Sequence, residues 1–223
     1  MTEITWDAEA DRIYETGVDH GVLYIPTAGV YDNGVAWNGL TSVTESPSGA
    51  EASPIYADNI KYLNLMSVEE FGGTIEAITF PIEFYQFDGG VVTNGGIVVG
   101  QQSRGKFGFS YRTRIGDAIV GDQKGYKLHL VYGAQATPSE RAYNTINDSP
   151  ETATFSWEFT TTAVPVTGMK PTALLTIDST KVVASELQAL EALLYGTTGV
   201  DPKLPTPDEV MALFPTSGTP VTP

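Results

Sequence analysis

The sequence predicts a mainly β protein with short helices confined to its C-terminal end. Three observations carry this. The stretch "FSWEFTTTAV", residues 155–164, sorts by parity: Phe155, Trp157 and Phe159 alternate with Ser156, Glu158 and Thr160. Successive strand side chains point to opposite faces, so one face is aromatic and buried and the other polar. The same parity recurs in "KFGFSYRTR" (106–114) and "YKLHLVYGA" (126–134). Finally, 23 Gly and 14 Pro in 223 residues supply the many turns that a strand-rich chain needs.

Taken in order, "GVLYIPT" (21–27) reads as a strand, and "YDNGVAWNGL" (31–40) holds two Asn-Gly turn signals around Trp37. "SVTESPSGAEASPIYADN", residues 42–59, is rich in Ser, Pro, Gly and Ala and reads as a long exposed loop. Loops of that length in compact domains are usually functional or mobile. "TIEAITFPIEFYQF" (74–87) reads as a strand interrupted by Pro81, at an edge or bulge. "VVTNGGIVV" (91–99) is a tight hairpin, with Asn94-Gly95 supplying the positive φ angles. The segments 106–114 and 126–134 form an antiparallel pair around the turn-rich "IGDAIVGDQKG". Parity places Phe107, Phe109 and Tyr111 opposite Lys106, Ser110, Arg112 and Arg114. It likewise sets Tyr126, Leu128, Leu130 and Tyr132 against Lys127 and His129.

Helical spacing is found in "ASELQALEALLYG" (184–196), where Leu187, Leu190 and Leu194 share a face and Ser185 with Gln188 spells a capping box. "TPDEVMALFP" (206–215) has Thr206 as cap, Pro207 at the first helical position and Glu209 closing a second box. Pro165 and Pro171 mark a junction. The expected organisation is therefore a β domain over residues 1–170 and an extension over 171–223 with one or two short helices that must dock on something.

The net charge is −15, unevenly spread. Residues 1–103 carry 15 acids and 2 bases, whereas residues 104–127 carry 6 bases (Arg104, Lys106, Arg112, Arg114, Lys124 and Lys127) and 2 acids. One reading is an ordinary solvated surface. The sharper one is that this basic strand pair meets an acidic surface on a neighbouring copy, since complementary patches fix register between partners. So acidic a chain is not expected to grip nucleic acid, which requires bases to neutralise phosphates.

Much chemistry is missing. Without cysteine there is no disulfide framework, thiolate metal site or thiol nucleophile. Of two histidines, His129 lies in mid-strand and His20 in turn-like surroundings. The chain has no G-x-S-x-G elbow, no G-x-G-x-x-G and no phosphate-loop lysine motif. Adjacent carboxylates such as Glu69-Glu70 point apart in a strand. The "NDS" at 147–149 matches a glycosylation acceptor only by chance, because "MTEITWDAEADRIYE" contains no apolar run and neither a secretory nor a transit signal is expected. No stretch approaches a membrane span, so no membrane role is expected, and with these motifs missing no enzyme activity and no cofactor are expected either.

The segment "HLVYGAQATPSERAYNTINDSPETATFSWEFTTTAVPV" (129–166) resembles the major tail proteins of long-tailed, non-contractile bacteriophages, particularly those of actinobacterial hosts. There, too, a strand ending in "YGA" leads through a "PSERAYNTIN" connection to a strand of the "FSWEFTTT" type. "LQALEALLYGTTGVDPKLPTPDEVMALF" (187–214) is similar to the endings of such chains, and only the placement of Ala163 in "TTTAVPV" departs from the pattern. No immunoglobulin-like decoration domain follows, as it does in some relatives.

The resemblance implies a β-sandwich or barrel tail-tube fold with a flanking helix. It implies homohexameric rings whose inner strands close into one barrel, and rings stacked into a tube that conducts DNA to the host. It further implies a place in the virion after assembly in the host cytoplasm. The partners would be other copies of the chain and, at the tube ends, the terminator, distal tail and tape measure proteins, with DNA passing through unbound.

On that footing the segment 42–59, with Pro47, Pro54 and Tyr56, corresponds to the loop that reaches the adjacent ring. Arg104, Lys106, Arg112 and Arg114 are expected at subunit or ring contacts, Arg112 and Arg114 pairing with acids such as Asp7, Glu9 and Asp11. The polar residues Glu158, Thr160 and Thr162 are candidates for the lumen wall, where an acidic or neutral lining lets phosphates slide. The rival from another class is a β-sandwich carbohydrate-binding or adhesion module on a virion or cell surface, to which aromatic strands and exposed loops are equally suited.

Overall fold

The computed structural model describes residues 6–214 other than 8, 10, 11, 95, 147 and 149–151. The protein is mainly β. Its strands are β1 (Ile13–Thr27), β2 (Val30–Trp37), β3 (Leu40–Glu45), β4 (Ala52–Ala57), β5 (Ile60–Met66), β6 (Gly72–Ala77), β7 (Val91–Val92), β8 (Val98–Val99), β9 (Phe107–Asp117), β10 (Gly121–Ala136), β11 (Phe155–Thr161) and β12 (Leu174–Asp178). Helices α1 (Ala184–Tyr195) and α2 (Pro207–Leu213) follow. Eight strands form one antiparallel sheet in the order β2-β1-β9-β10-β11-β6-β3, with β12 also paired to β10. Two separate ribbons, β4–β5 and β7–β8, stand outside it.

One face of the curled sheet encloses an aromatic core. The odd residues of β11 do what their parity predicts: Trp157 and Phe159 are buried and Phe155 half-buried. They meet Phe107, Phe109 and Tyr111 of β9, Trp37 of β2 and Ile75 of β6. The run 82–86 is not the strand expected around Pro81. It is a 3-10 turn that starts after Pro81, which lacks the N–H a ladder would need. This sends Phe84 and Phe87 into the core, where Phe84 packs against Trp157 with ring centroids 5.1 Å apart. The sheet closes so tightly at the β1–β3 approach that a Cβ on Gly21 would stand 2.4 Å from Leu40 Cδ1.

The reverse face of β1, β9, β10 and β12 is buried as well. Val22, Tyr24, Leu128, Leu130, Tyr132 and Ile177 pack against Leu187, Leu190 and Leu194 of α1, Val210 of α2 and Leu204 between them. The polar face of β9 is thus covered at Gly108 and Ser110, half-buried at Arg112 and exposed at Arg114. Ser110 is buried, its Oγ 3.1 Å from the Tyr24 hydroxyl, which also donates to the Leu194 carbonyl at 3.0 Å. Gly108 on that face cannot be replaced without movement, since a Cβ there would meet Leu204 Cδ2 at 2.6 Å.

The stretch after residue 171 thus contributes β12 to the sheet and two helices to this second core. Residues 202–204 also lie along the outer edge of β2, with Gly34 N–H donating to Pro202 O and Leu204 N–H to Tyr31 O, both at 2.9 Å. Thr206 and Glu209 form the expected reciprocal capping box on α2. The box expected at Ser185 does not form: α1 starts two residues earlier, after Val183, without a side-chain cap.

Candidate functional site

The segment 42–59 is corrected most by the structure. It is no open loop. The β3–β6 ladder continues outward through Ser46 N–H to Gly72 O and the reciprocal Ser48–Glu70 pair, all at 2.8 Å, into the β4–β5 ribbon. The turn residues Asp58 and Asn59 both have positive φ, 50° and 63°, the requirement of a tight hairpin turn. That signal was legible as "Asp-Asn" between two apolar runs, but the Ser/Pro/Ala composition before it suggested a loop. Every residue of β4 and β5 is exposed. Register puts Ile55 opposite Leu63, Ser53 opposite Leu65 and Ala57 opposite Ile60, so one face of the arm is nearly all apolar. Pro54 and Tyr56 share the other face with Asn64 and Lys61, and Pro47 lies exposed at the base.

An isolated two-stranded ribbon is marginal in water. This one also exposes Ile55, Ile60, Leu63 and Leu65 together on its apolar face. A contiguous apolar surface of this kind marks a contact with another macromolecule.

A second surface is the outer side of β11, β6 and β3. Pairing aligns Ser156, Glu76 and Ser42 in one row and Glu158, Thr74 and Thr44 in the next. Ser42 Oγ donates to Glu76 Oε2 at 2.7 Å. Glu158 and Thr160 are exposed on this side, directly behind the aromatic core face of the same strand. Thr162, also exposed, accepts a hydrogen bond from Lys106 Nζ at 2.8 Å, so a residue assigned to the interface and one assigned to the lumen belong to one patch. Sequence reasoning found the β11 members and missed Thr74, Glu76, Ser42 and Thr44, whose alignment requires the strand order.

Arg112 and Arg114 of the basic cluster, expected to meet Asp7, Glu9 and Asp11 of a neighbour, find Asp19 and Asp122 within the chain. Asp19 sits across from Arg112 in the β1–β9 ladder, and Thr16 across from Arg114. Both arginines therefore reach Asp19 first: Arg112 Nε donates to Oδ1 at 2.7 Å and Arg114 Nη2 to Oδ2 at 3.2 Å. Arg114 also donates to Asp122 at 3.1 Å. Burial would raise the Asp19 carboxyl, but the bonds and charge of Arg112, joined by His20, hold it down at about 2. Arg104 and Arg141 both pair with Asp88. Asp7 and Glu9 are exposed, with the Asp7 carbonyl accepting from Arg12 at 3.2 Å, and Asp11 lies outside the described residues.

Among the described residues, no group of three or more His, Cys, Asp or Glu is placed to hold a metal. None of the described helices is long and apolar enough to cross a membrane. An open groove of about 510 Å³ lies beside the β1 bulge, lined by Asp19, His20, Trp37, Leu40 and Tyr195 among others. His20 there has φ 52°, and its Nδ1 is 2.9 Å from Asp19 Oδ1.

No protein-family profile matches the chain, and no curated protein matches it. Among solved structures the chain is similar to a component of the cryo-EM structure of the anti-feeding prophage (AFP) baseplate, 6-fold symmetrised. The alignment has 9% identity and a TM-score of 0.37, covering 78% of this chain and 97% of that one. A likeness so distant fixes no family and no function.

Proposed function

We propose that this chain is the repeating subunit of a phage tail tube: six copies form a ring, rings stack, and the stack conducts DNA. The observation that carries the reading is the β4–β5 arm, an ordered ribbon with an apolar face that is left uncovered among the described residues. Such a ribbon needs a partner, and the resemblance over residues 129–166 supplies the kind: a copy of the same chain in the next ring. The sheet surface bearing Glu76, Glu158, Thr160 and Thr162 suits a channel wall. It is polar, backed by a packed core, and carries carboxylates that repel phosphate. Lys106 beside it is hydrogen-bonded to Thr162.

Electron microscopy of the purified, concentrated protein tests this. Stacked rings are the expected result. A monodisperse monomer at every concentration, above all one that binds glycans through Tyr56 and Tyr62 of the arm, would replace the tube by the adhesion-module reading.

A further inference from the structure

The arm leaves the body at one root, and a polar cluster sits there, with two members buried and the third, Glu45, at the surface. Glu45 is the last residue of β3. Its carboxylate reaches over the end of the aromatic core to two other strands. Tyr111 of β9 donates its hydroxyl to Glu45 Oε1 at 2.5 Å. His129 of β10 brings Nδ1 to 3.1 Å from the same oxygen, out of line for a hydrogen bond, and Nδ1 has no other partner. The Tyr111 and His129 rings lie parallel, 4.6 Å apart and 2° from coplanar orientation, and His129 Nε2 is 3.0 Å from Thr113 Oγ1. Tyr111 is 2% and His129 7% exposed, so neither can turn away. On the other strand of the root, Thr161 Oγ1 donates to Phe71 O at 2.6 Å.

We propose that the Glu45–Tyr111–His129 cluster is a lock that sets the angle at which the arm leaves the body. Its consequence for ring stacking rests on the tube reading above; the lock itself does not.

Two physical points favour a lock over incidental polar packing. An apolar side chain at Glu45 would cover the end of the core at no charge-desolvation cost, yet apolar contacts slide, whereas a charge-assisted hydrogen bond to a fixed phenol is directional. The proximity of His129 leads the effects that keep the Glu45 carboxyl below its usual range, against its own burial, with the Tyr111 bond and the charge of Lys127 adding. The carboxylate is therefore ionised at neutral pH.

Leverage makes the angle matter. From Glu45 to the arm tip at Asp58 the chain reaches at most about 43 Å at about 3.3 Å per residue, with a bend on the way where Gly49 and Ala50 have φ of 82° and 54°. A tilt of about 6° at the root then displaces the tip by up to about 4.8 Å, one strand spacing. A partner reading the arm residue by residue would lose register.

The chain has no cysteine, so paired labels can be placed cleanly. Spin labels on Lys61→Cys, in the arm, and Gln188→Cys, on the exposed side of α1, report the angle by double electron–electron resonance on the isolated chain. The expected result is one narrow distance distribution, at least doubled in width or displaced by about 4 Å in Tyr111→Phe and in Glu45→Ala, with near-ultraviolet circular dichroism retained. An unchanged distribution in folded variants overturns the lock, as does a distribution already broad in the parent. Glu45 is 36% exposed, so its alanine variant decides the matter should Tyr111→Phe unfold. Unfolding of both also overturns it, because the cluster would then be core rather than lock. A parent chain that never forms tubes removes the stacking role and the tube reading, and leaves the distances to judge the lock.

Discussion

Asp19 and Arg112 face each other across the β1–β9 ladder and form a two-point ion pair, Nε to Oδ1 at 2.7 Å and Nη2 to Oδ2 at 3.2 Å. The guanidinium also lies over the Tyr126 ring, 4.6 Å from its centroid. This half-buried basic group is thus held between two strands of one chain and the Tyr126 ring. Its folded-state Asp19 carboxyl is held at about 2 against an ordinary 3.8, a depressed value. The pair's contribution is accordingly present above about pH 4 and fades as pH falls towards 2. After allowance for solvent screening, Asp19→Asn should cost about 1 kcal/mol at pH 7 and remove that acid-dependent part. Arg112→Glu should cost roughly 2 kcal/mol, since it sets two carboxylates face to face. Denaturant unfolding at pH 7 and pH 3 checks both; equal pH dependence in Asp19→Asn and the parent would contradict the assignment.

Gly108→Val tests the second core. The added side chain must displace Leu204, so a loss of about 1–3 kcal/mol is expected, with faster amide exchange at Leu204 and Gly34, whose edge bonds run through residues 202–204. Exchange measured by mass spectrometry reads the local loosening separately from global stability.

Helix caps give a paired comparison. Thr206→Ala removes a formed capping box and should cost about 1 kcal/mol, whereas Ser185→Ala removes a side chain that caps nothing and should shift stability by only a few tenths. Thermal unfolding of the two variants side by side suffices. Equal losses would mean that α1 is capped through Ser185 after all.

On the arm, Ile55→Asp with Leu63→Lys alters two exposed, directly opposed side chains without setting like charges face to face. Monomer stability should change by less than about 0.5 kcal/mol each, while stacked assemblies disappear. Sedimentation velocity follows assembly and calorimetry follows folding; assembly that persists would detach the arm from the contact.

Charge reversal on the polar sheet face tests the channel wall. Glu158→Lys together with Thr160→Lys should leave the exposed strand folded, yet make assembled tubes retain duplex DNA at low salt and release it as salt rises. Gel retardation across a salt series is the readout. Tubes indifferent to DNA in both forms would place this face outside the channel.

Local pattern determined much of this molecule. The parity of residues 155–160 set Trp157 and Phe159 inward, the Val-rich run at 91–99 gave its ribbon, and Thr-Pro-Asp-Glu at 206–209 capped α2, because each depends only on residues within one turn or one strand. Tertiary structure decided what lies against each face and each charge. The polar side of β9 is dry at Gly108 and Ser110 because α1 and Leu204, distant in sequence, close over it, while Arg114 further along stays exposed; Arg112 is matched by Asp19 because β1 is its ladder neighbour. The stretch read as a loop is an arm because its two strands pair with each other through backbone groups that carry no signature in side-chain composition. A strand's own sequence says which side is apolar, but the burial of its other side is a property of whatever the rest of the chain brings to it.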